Sequence, residues 1–78
     1  MKTNEDRIQK IFTLGKEHFG GVKHVSVKLT NHEHWVANIA FESGSSVDNI
    51  MEVGIDATEA LRNLKKRMMK IKTRYGVV

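Results

Sequence analysis

Between Val22 and Glu42 the chain changes face at every residue. Val25, Val27 and Leu29 alternate with His24, Ser26 and Lys28, and the pattern resumes with Trp35, Ala37, Ile39 and Phe41. A period of two, filled by β-branched and aromatic side chains, predicts strands over Val22–Thr30 and His34–Glu42. The connection Asn31-His32-Glu33 is short enough to demand an antiparallel hairpin. Setting Leu29 opposite Trp35 keeps every large apolar side chain on one side and places Ser26 opposite Asn38. A slip of one residue would turn Trp35 and Phe41 out to water, so the parity is tightly specified. A lone hairpin with one apolar face is marginal in water. The rest of the chain must therefore cover that face.

The flanking segments supply the cover. Ile8, Ile11, Phe12, Gly15 and Phe19 recur at helical spacing on one face. Thr3 or Asn4 can cap this helix, and Gly20-Gly21 ends it. Gly15 lies on the apolar face, where it costs about 1 kcal/mol relative to Ala. Close approach of the helix to a sheet accounts for it. After the hairpin, Ser43-Gly44-Ser45-Ser46 reads as a flexible turn. Asn49–Asp56 reads as a third strand with Met51, Val53 and Ile55 inward. Asp56 with Glu59 three residues on makes a capping-box-like start. From there Ala57, Leu61, Leu64, Met68, Ile71 and Tyr75 form a single helical stripe. The expected fold class is a two-layer α+β domain of order α-β-β-β-α. Both helices pack on one face of a three-stranded antiparallel sheet. The other face, carrying His24, Ser26, Lys28, His34, Val36, Asn38, Ala40, Ile50, Glu52 and Gly54, is expected to stay bare.

With 78 residues the chain allows one domain, 1–78, near the lower limit for folding unaided. It contains no cysteine and no proline. That excludes a disulfide framework, a thiolate zinc site, an iron–sulfur cluster and a thiol nucleophile. Small secreted domains lean on disulfides, so a cytoplasmic setting is expected. No apolar run approaches the roughly 18 residues of a membrane span. The segment Met1–Arg7 is polar and mixed in charge, unlike a signal peptide, and the chain is expected to be a complete small gene product.

Net charge is +4, but its distribution is uneven. Residues 1–19 hold four basic and three acidic side chains, and residues 20–56 hold two and five. Residues 57–78 hold seven basic side chains, Arg62, Lys65, Lys66, Arg67, Lys70, Lys72 and Arg74, and one acidic, Glu59. On a helical wheel these seven surround the side opposite the apolar stripe, with Met69 beside them. Such a ridge is the footprint of polyanion binding. Its plain alternative is a solvated face built from good helix formers.

Other chemistry is thinly represented. His32-Glu33-His34 places two imidazoles at a hairpin tip, where His32 and His34 could reach one metal, but a firm zinc site needs a third or fourth ligand, and His24, several residues down the strand, is a weak candidate for it. No metal and no other cofactor is expected. Trp35 shares parity with Ile39 and Phe41, which makes it a core residue rather than a base-stacking platform. Neither Gly20-Gly21 nor Ser43–Ser46 has the Lys-Ser/Thr and helix start of a phosphate loop. No arrangement of serine, histidine and acid forms a nucleophile motif, so the chain is not read as an enzyme.

The order α-β-β-β-α resembles the double-stranded-RNA-binding domain over nearly the whole chain, at the level of topology. In that family the last helix begins with a lysine-rich phosphate clamp. Here the corresponding start is Asp56-Ala57-Thr58-Glu59, the lysines run from Lys65 onward, and Thr30-Asn31-His32-Glu33-His34 keeps only histidine from the family's hairpin loop. Gly54-Ile55-Asp56-Ala57-Thr58-Glu59-Ala60-Leu61-Arg62-Asn63-Leu64 is similar to the strand-to-helix joint of HicB-type antitoxins. Size, basicity and lack of cysteine are also similar to small phage-encoded accessory proteins, including anti-CRISPR proteins. The expected function is a small non-enzymatic basic module that contacts nucleic acid or a nucleoprotein through its last helix. The alternative is a phage or mobile-element protein whose basic helix meets an acidic host protein that handles nucleic acid. The expected assembly is a monomer or a sheet-mediated homodimer.

Overall fold

A computed structural model describes residues 3–30, 33–42 and 47–75, with side chains described as far as Ile71. Helix α1 (Asn4–Phe19) leads into strands β1 (Val22–Leu29), β2 (Trp35–Phe41) and β3 (Asn49–Gly54), and helix α2 (Ala57–Tyr75) closes the chain. The sheet is antiparallel with order β1-β2-β3. The α-β-β-β-α order and the packing of both helices against the sheet are as the periodicities require. The turn read over Ser43–Ser46 lies outside the described residues, as do Asn31 and His32.

Local chemistry sets the helix ends. Thr3 caps α1 reciprocally: its hydroxyl accepts from the Asp6 amide at 3.1 Å, and its own amide donates to Asp6 Oδ2 at 3.2 Å. Gly20 closes the helix with φ 97°, a conformation that excludes most side chains. At α2, Asp56 Oδ1 accepts from the Glu59 amide at 2.7 Å, while Glu59 Oε1 accepts from the Ile55 amide at 3.2 Å. The Glu59 carboxylate thus reaches one residue further back than a standard capping box requires.

The hairpin register is the expected one, with Leu29 opposite Trp35 and Ser26 opposite Asn38. A bulge between Val22 and His24 lets Val22 join the inner face opposite Phe41. The core gathers Ile11 and Phe19 from α1, Val22, Ala37, Ile39, Phe41 and Ile50 from the sheet, and Ala60, Leu61, Leu64 and Met68 from α2. Gly15 is where α1 touches the sheet. A Cβ there would stand 2.7 Å from Ile39 Cδ1 and 2.8 Å from Val22 Cγ2. Ala60, missing from the expected stripe, is fully buried.

The third strand corrects the expected parity. Met51, Val53 and Ile55 are 56%, 54% and 71% exposed, whereas Ile50 and Gly54 are buried. Antiparallel register places Ile50 opposite Ile39 and Gly54 opposite Trp35. The cause lies in the joint to α2, which spans only Ile55 and Asp56. A helix that starts so soon must lie directly on the end of the strand. A Cβ on Gly54 would come within 2.4 Å of the Ala60 nitrogen, so the residue facing the helix there has to be glycine. That one requirement turns Met51 and Val53 onto the bare face and brings Glu52 under the helices. A smaller correction applies to Leu29. It keeps its inward parity but lies at the uncovered end of β1, 55% exposed.

Candidate polyanion interface

Helix α2 rests its apolar side on the sheet, and the opposite side is a run of cations. Arg62, Lys66, Arg67 and Lys70 are exposed, and Lys65 is half-buried at the flank. Arg62, Lys66 and Lys70 stand four residues apart, so they form one row rising roughly 6 Å per step. Met69 lies beside this row, 38% exposed. The side chains of Lys72 and Arg74, which the sequence adds to the ridge, lie outside the described residues. Asn63 anchors the helix across the sheet edge by donating from Nδ2 to the Val53 carbonyl at 2.8 Å. This contact holds α2 in register along β3, so the basic row keeps a fixed direction relative to the sheet.

Three acidic groups border the ridge among the described residues, Glu52, Asp56 and Glu59. Glu52, expected on the bare face, instead lies under α2, half-buried in a shallow depression with Asn63, Lys66, Arg67 and Lys70. Its carboxylate offsets part of the local charge on the β3 side. Glu59, the one acid of α2, accepts a hydrogen bond at the start of the helix, and with Asp56 it shares a depression with Arg62 and Lys66 at that end of the row.

Sequence reasoning missed the contribution of α1. A cleft of about 270 Å³ runs between the two helices. Helix α1 lines it with Arg7, Lys10 and Ile11, and α2 with Leu61, Arg62 and Lys65, while Asp6 is the one acid among the described lining residues. The signal was present: Arg7 and Lys10 are three apart and flank Ile11, so they occupy one edge of the apolar face of α1. The near-neutral total of residues 1–19 concealed it. Asn4 Oδ1 fastens one end of the helix pair, accepting from Thr58 Oγ1 at 3.0 Å and from Arg7 Nη1 at 3.3 Å.

The hairpin tip offers less. His34 is exposed, and its carbonyl accepts from the Thr30 amide at 2.8 Å and the Thr30 hydroxyl at 2.9 Å. His32 lies outside the described residues. Among the described residues no three His, Cys, Asp or Glu side chains come together to hold a metal. None of the described helices is long and apolar enough to cross a membrane. No protein-family model, curated protein or solved structure matches this chain.

Proposed function

We propose that this chain is a small, non-enzymatic binding module that grips the phosphate backbone of nucleic acid through the basic face of α2. One observation carries the reading. Arg62, Lys66, Arg67 and Lys70 lie exposed along a single helix whose only acid is engaged at its capped start. A helix that merely needed solubility would intersperse acids and avoid the self-repulsion. The α-β-β-β-α topology it shares with double-stranded-RNA-binding domains supports the reading. The positive charge is placed differently, along the middle of the last helix rather than at its first turn. Grip of this kind reads charge and spacing and is indifferent to base identity.

Mobility shift of single- and double-stranded DNA and RNA across a salt series tests it. With four to six phosphates neutralised, log K against log salt should fall with a slope of about −4 to −5 on a duplex. Lys66→Glu/Lys70→Glu should weaken all sequences about equally and flatten that slope by about 2. Absence of binding to every species below millimolar at low salt sinks the proposal.

The sheet favours a second reading. Its outer face exposes Met51 and Val53, with Ile55 just beyond, and a module that only grips phosphates has no use for such a surface. A protein partner that itself handles nucleic acid would use both faces, as in the anti-CRISPR-like alternative. A partner that stays bound after nuclease digestion but is lost with Val53→Lys supports this second reading. A partner released by digestion supports the first.

A further inference from the structure

We propose that the free edge of β1 is a docking site for an extended, acidic segment of a partner protein, which joins the sheet as a fourth strand. The two edges of the sheet differ. In an antiparallel ladder the backbone groups of alternate residues point away from the neighbouring strand. The Thr30 amide donates to the His34 carbonyl, so the same alternation turns the amides and carbonyls of Val25, Val27 and Leu29 outward from β1. On β3 the Phe41 amide donates to the Asp48 carbonyl, so the outward groups are those of Met51 and Val53, continued by Ile55 just past the strand. There α2 has taken two of them. Asn63 Nδ2 donates to the Val53 carbonyl at 2.8 Å, and Glu59 Oε1 accepts from the Ile55 amide at 3.2 Å. Among the described residues nothing comparable closes the edge of β1.

The open edge is also regular and incompletely covered. The bulge is confined to Val22 and His24, and the register runs unbroken from His24 to Leu29. Outward donor–acceptor pairs therefore repeat every ~6.8 Å, the spacing that an added antiparallel strand needs. Val25 and Val27 share the helix-facing parity yet are only half-buried, and Leu29 is exposed, whereas Ala37 and Ile39 of the central strand are fully buried. Apolar side chains on a further strand would supply the missing cover. Charge selects the occupant. Strand β1 carries Lys23, His24 and Lys28 and no acid. Two copies of β1 laid edge to edge would gather their lysines with no carboxylate among them, so lysine here opposes pairing with a second copy of this chain. An acidic strand meets the complementary charge. The pleat then sets its pattern: acids on the outer face beside Lys28, alternating with apolar side chains beside Val25, Val27 and Leu29. This edge lies across the sheet from β3, where Asn63 holds α2, so the proposal does not depend on the ridge gripping phosphate.

The test uses a synthetic peptide of about eight residues that alternates glutamate and valine, long enough to span the regular part of β1. The controls are a peptide of the same composition with its acids in one block and a peptide that alternates lysine and valine. Amide chemical shifts and hydrogen exchange of the full chain are followed on titration. The alternating acidic peptide should bind saturably below about 1 mM and slow exchange of the Val25, Val27 and Leu29 amides. Both controls should bind at least about tenfold more weakly. Val27→Pro removes one outward donor without breaking a bond to β2, and should weaken binding about tenfold. Lys28→Glu should invert the preference, so that the alternating basic peptide binds better than the acidic one. Lys28 is exposed, so this variant keeps the proposal open to refutation even if the proline variant unfolds. Undisturbed β3 amides in each variant show that the fold is kept. No slowed exchange at 1 mM peptide, or equal binding of the acidic peptide by the parent and Lys28→Glu, overturns the proposal. Protection of the same amides that grows with protein concentration and needs no peptide overturns it too, by making a second copy the occupant. The titration reads the β1 edge alone, so a failed mobility shift removes the phosphate-gripping reading and leaves this one standing.

Discussion

Gly54→Ala is expected to destabilise the chain by about 3 kcal/mol, the upper end of the range for overpacking. The added Cβ would meet the Ala60 nitrogen at 2.4 Å, the Glu59 carbonyl carbon at 2.8 Å and the Ala60 Cα at 2.9 Å. All three are backbone atoms of a capped helix, so no rotamer change relieves the contact. Either α2 lifts off the sheet or β3 drops away from β2. Both motions open the packing around Ala60, Leu61 and Ile50, which are buried. A chain of 78 residues has roughly 4–12 kcal/mol of stability in total, so the loss is a large part of it. Gly21→Ala is the control. Its Cβ would meet Glu42 Oε2 at 2.6 Å, but Glu42 is exposed and its side chain can swing away. That variant should stay within about 0.5 kcal/mol of the parent. Urea denaturation of the three proteins checks the contrast, and equal midpoints for the two variants would refute it.

The same glycine explains why β3 was the one element misjudged in sequence. In β1 and β2 the larger apolar side chains all fall on one parity, so counting them identifies the inner face. In β3 the apolar count favours Met51, Val53 and Ile55, while the true inner set is Ile50, Glu52 and Gly54. Apolar content is a proxy for burial, and the proxy fails where a helix backbone presses on the strand and a side chain is forbidden. The short joint through Asp56 was legible as a cap, but its geometric consequence for Gly54 needed the helix in place. Both helices, by contrast, were legible from spacing and end chemistry, because each buries a stripe several residues long and carries its own stop or start residue.

The candidate site divides in a similar way. The ridge on α2 could be read because its cations lie within one helix, where a wheel relates them. The cleft could not, because Arg7 and Lys65 are far apart in sequence and meet only once α1 and α2 lie side by side on the sheet. Glu52 was misplaced for the same reason as Gly54. Its position under α2 follows from the inverted parity, and it puts an acid beside Lys66, Arg67 and Lys70 that the wheel does not show.

Trp35 and Phe41 share a strand and a parity, and pattern alone would rank them as equal supports of the core. The structure separates them. Phe41 is 5% exposed, and its ring packs on Phe19 with centroids 5.1 Å apart and planes tilted by 39°. It also lies beneath the point where α1 comes closest, since a Cβ on Gly15 would be 3.3 Å from Phe41 Cε1. Phe41→Ala therefore leaves a cavity at the junction of α1 and the sheet and also removes an aromatic pair. The expected cost is about 3–5 kcal/mol, enough to unfold much of the population at 25 °C if stability lies at the low end for this length. Trp35 is only half-buried, at the end of the sheet where Leu29 is exposed and Gly54 offers no side chain opposite. Water already reaches part of its ring, so Trp35→Ala removes less contact and should cost roughly half as much. Trp35 is the only tryptophan, so its fluorescence follows unfolding of the parent and of Phe41→Ala. Far-ultraviolet circular dichroism follows Trp35→Ala, which lacks that signal. Phe41→Ala should have the lower urea midpoint. The reverse order would place the principal support of the fold at the hairpin end of the sheet rather than where α1 meets it.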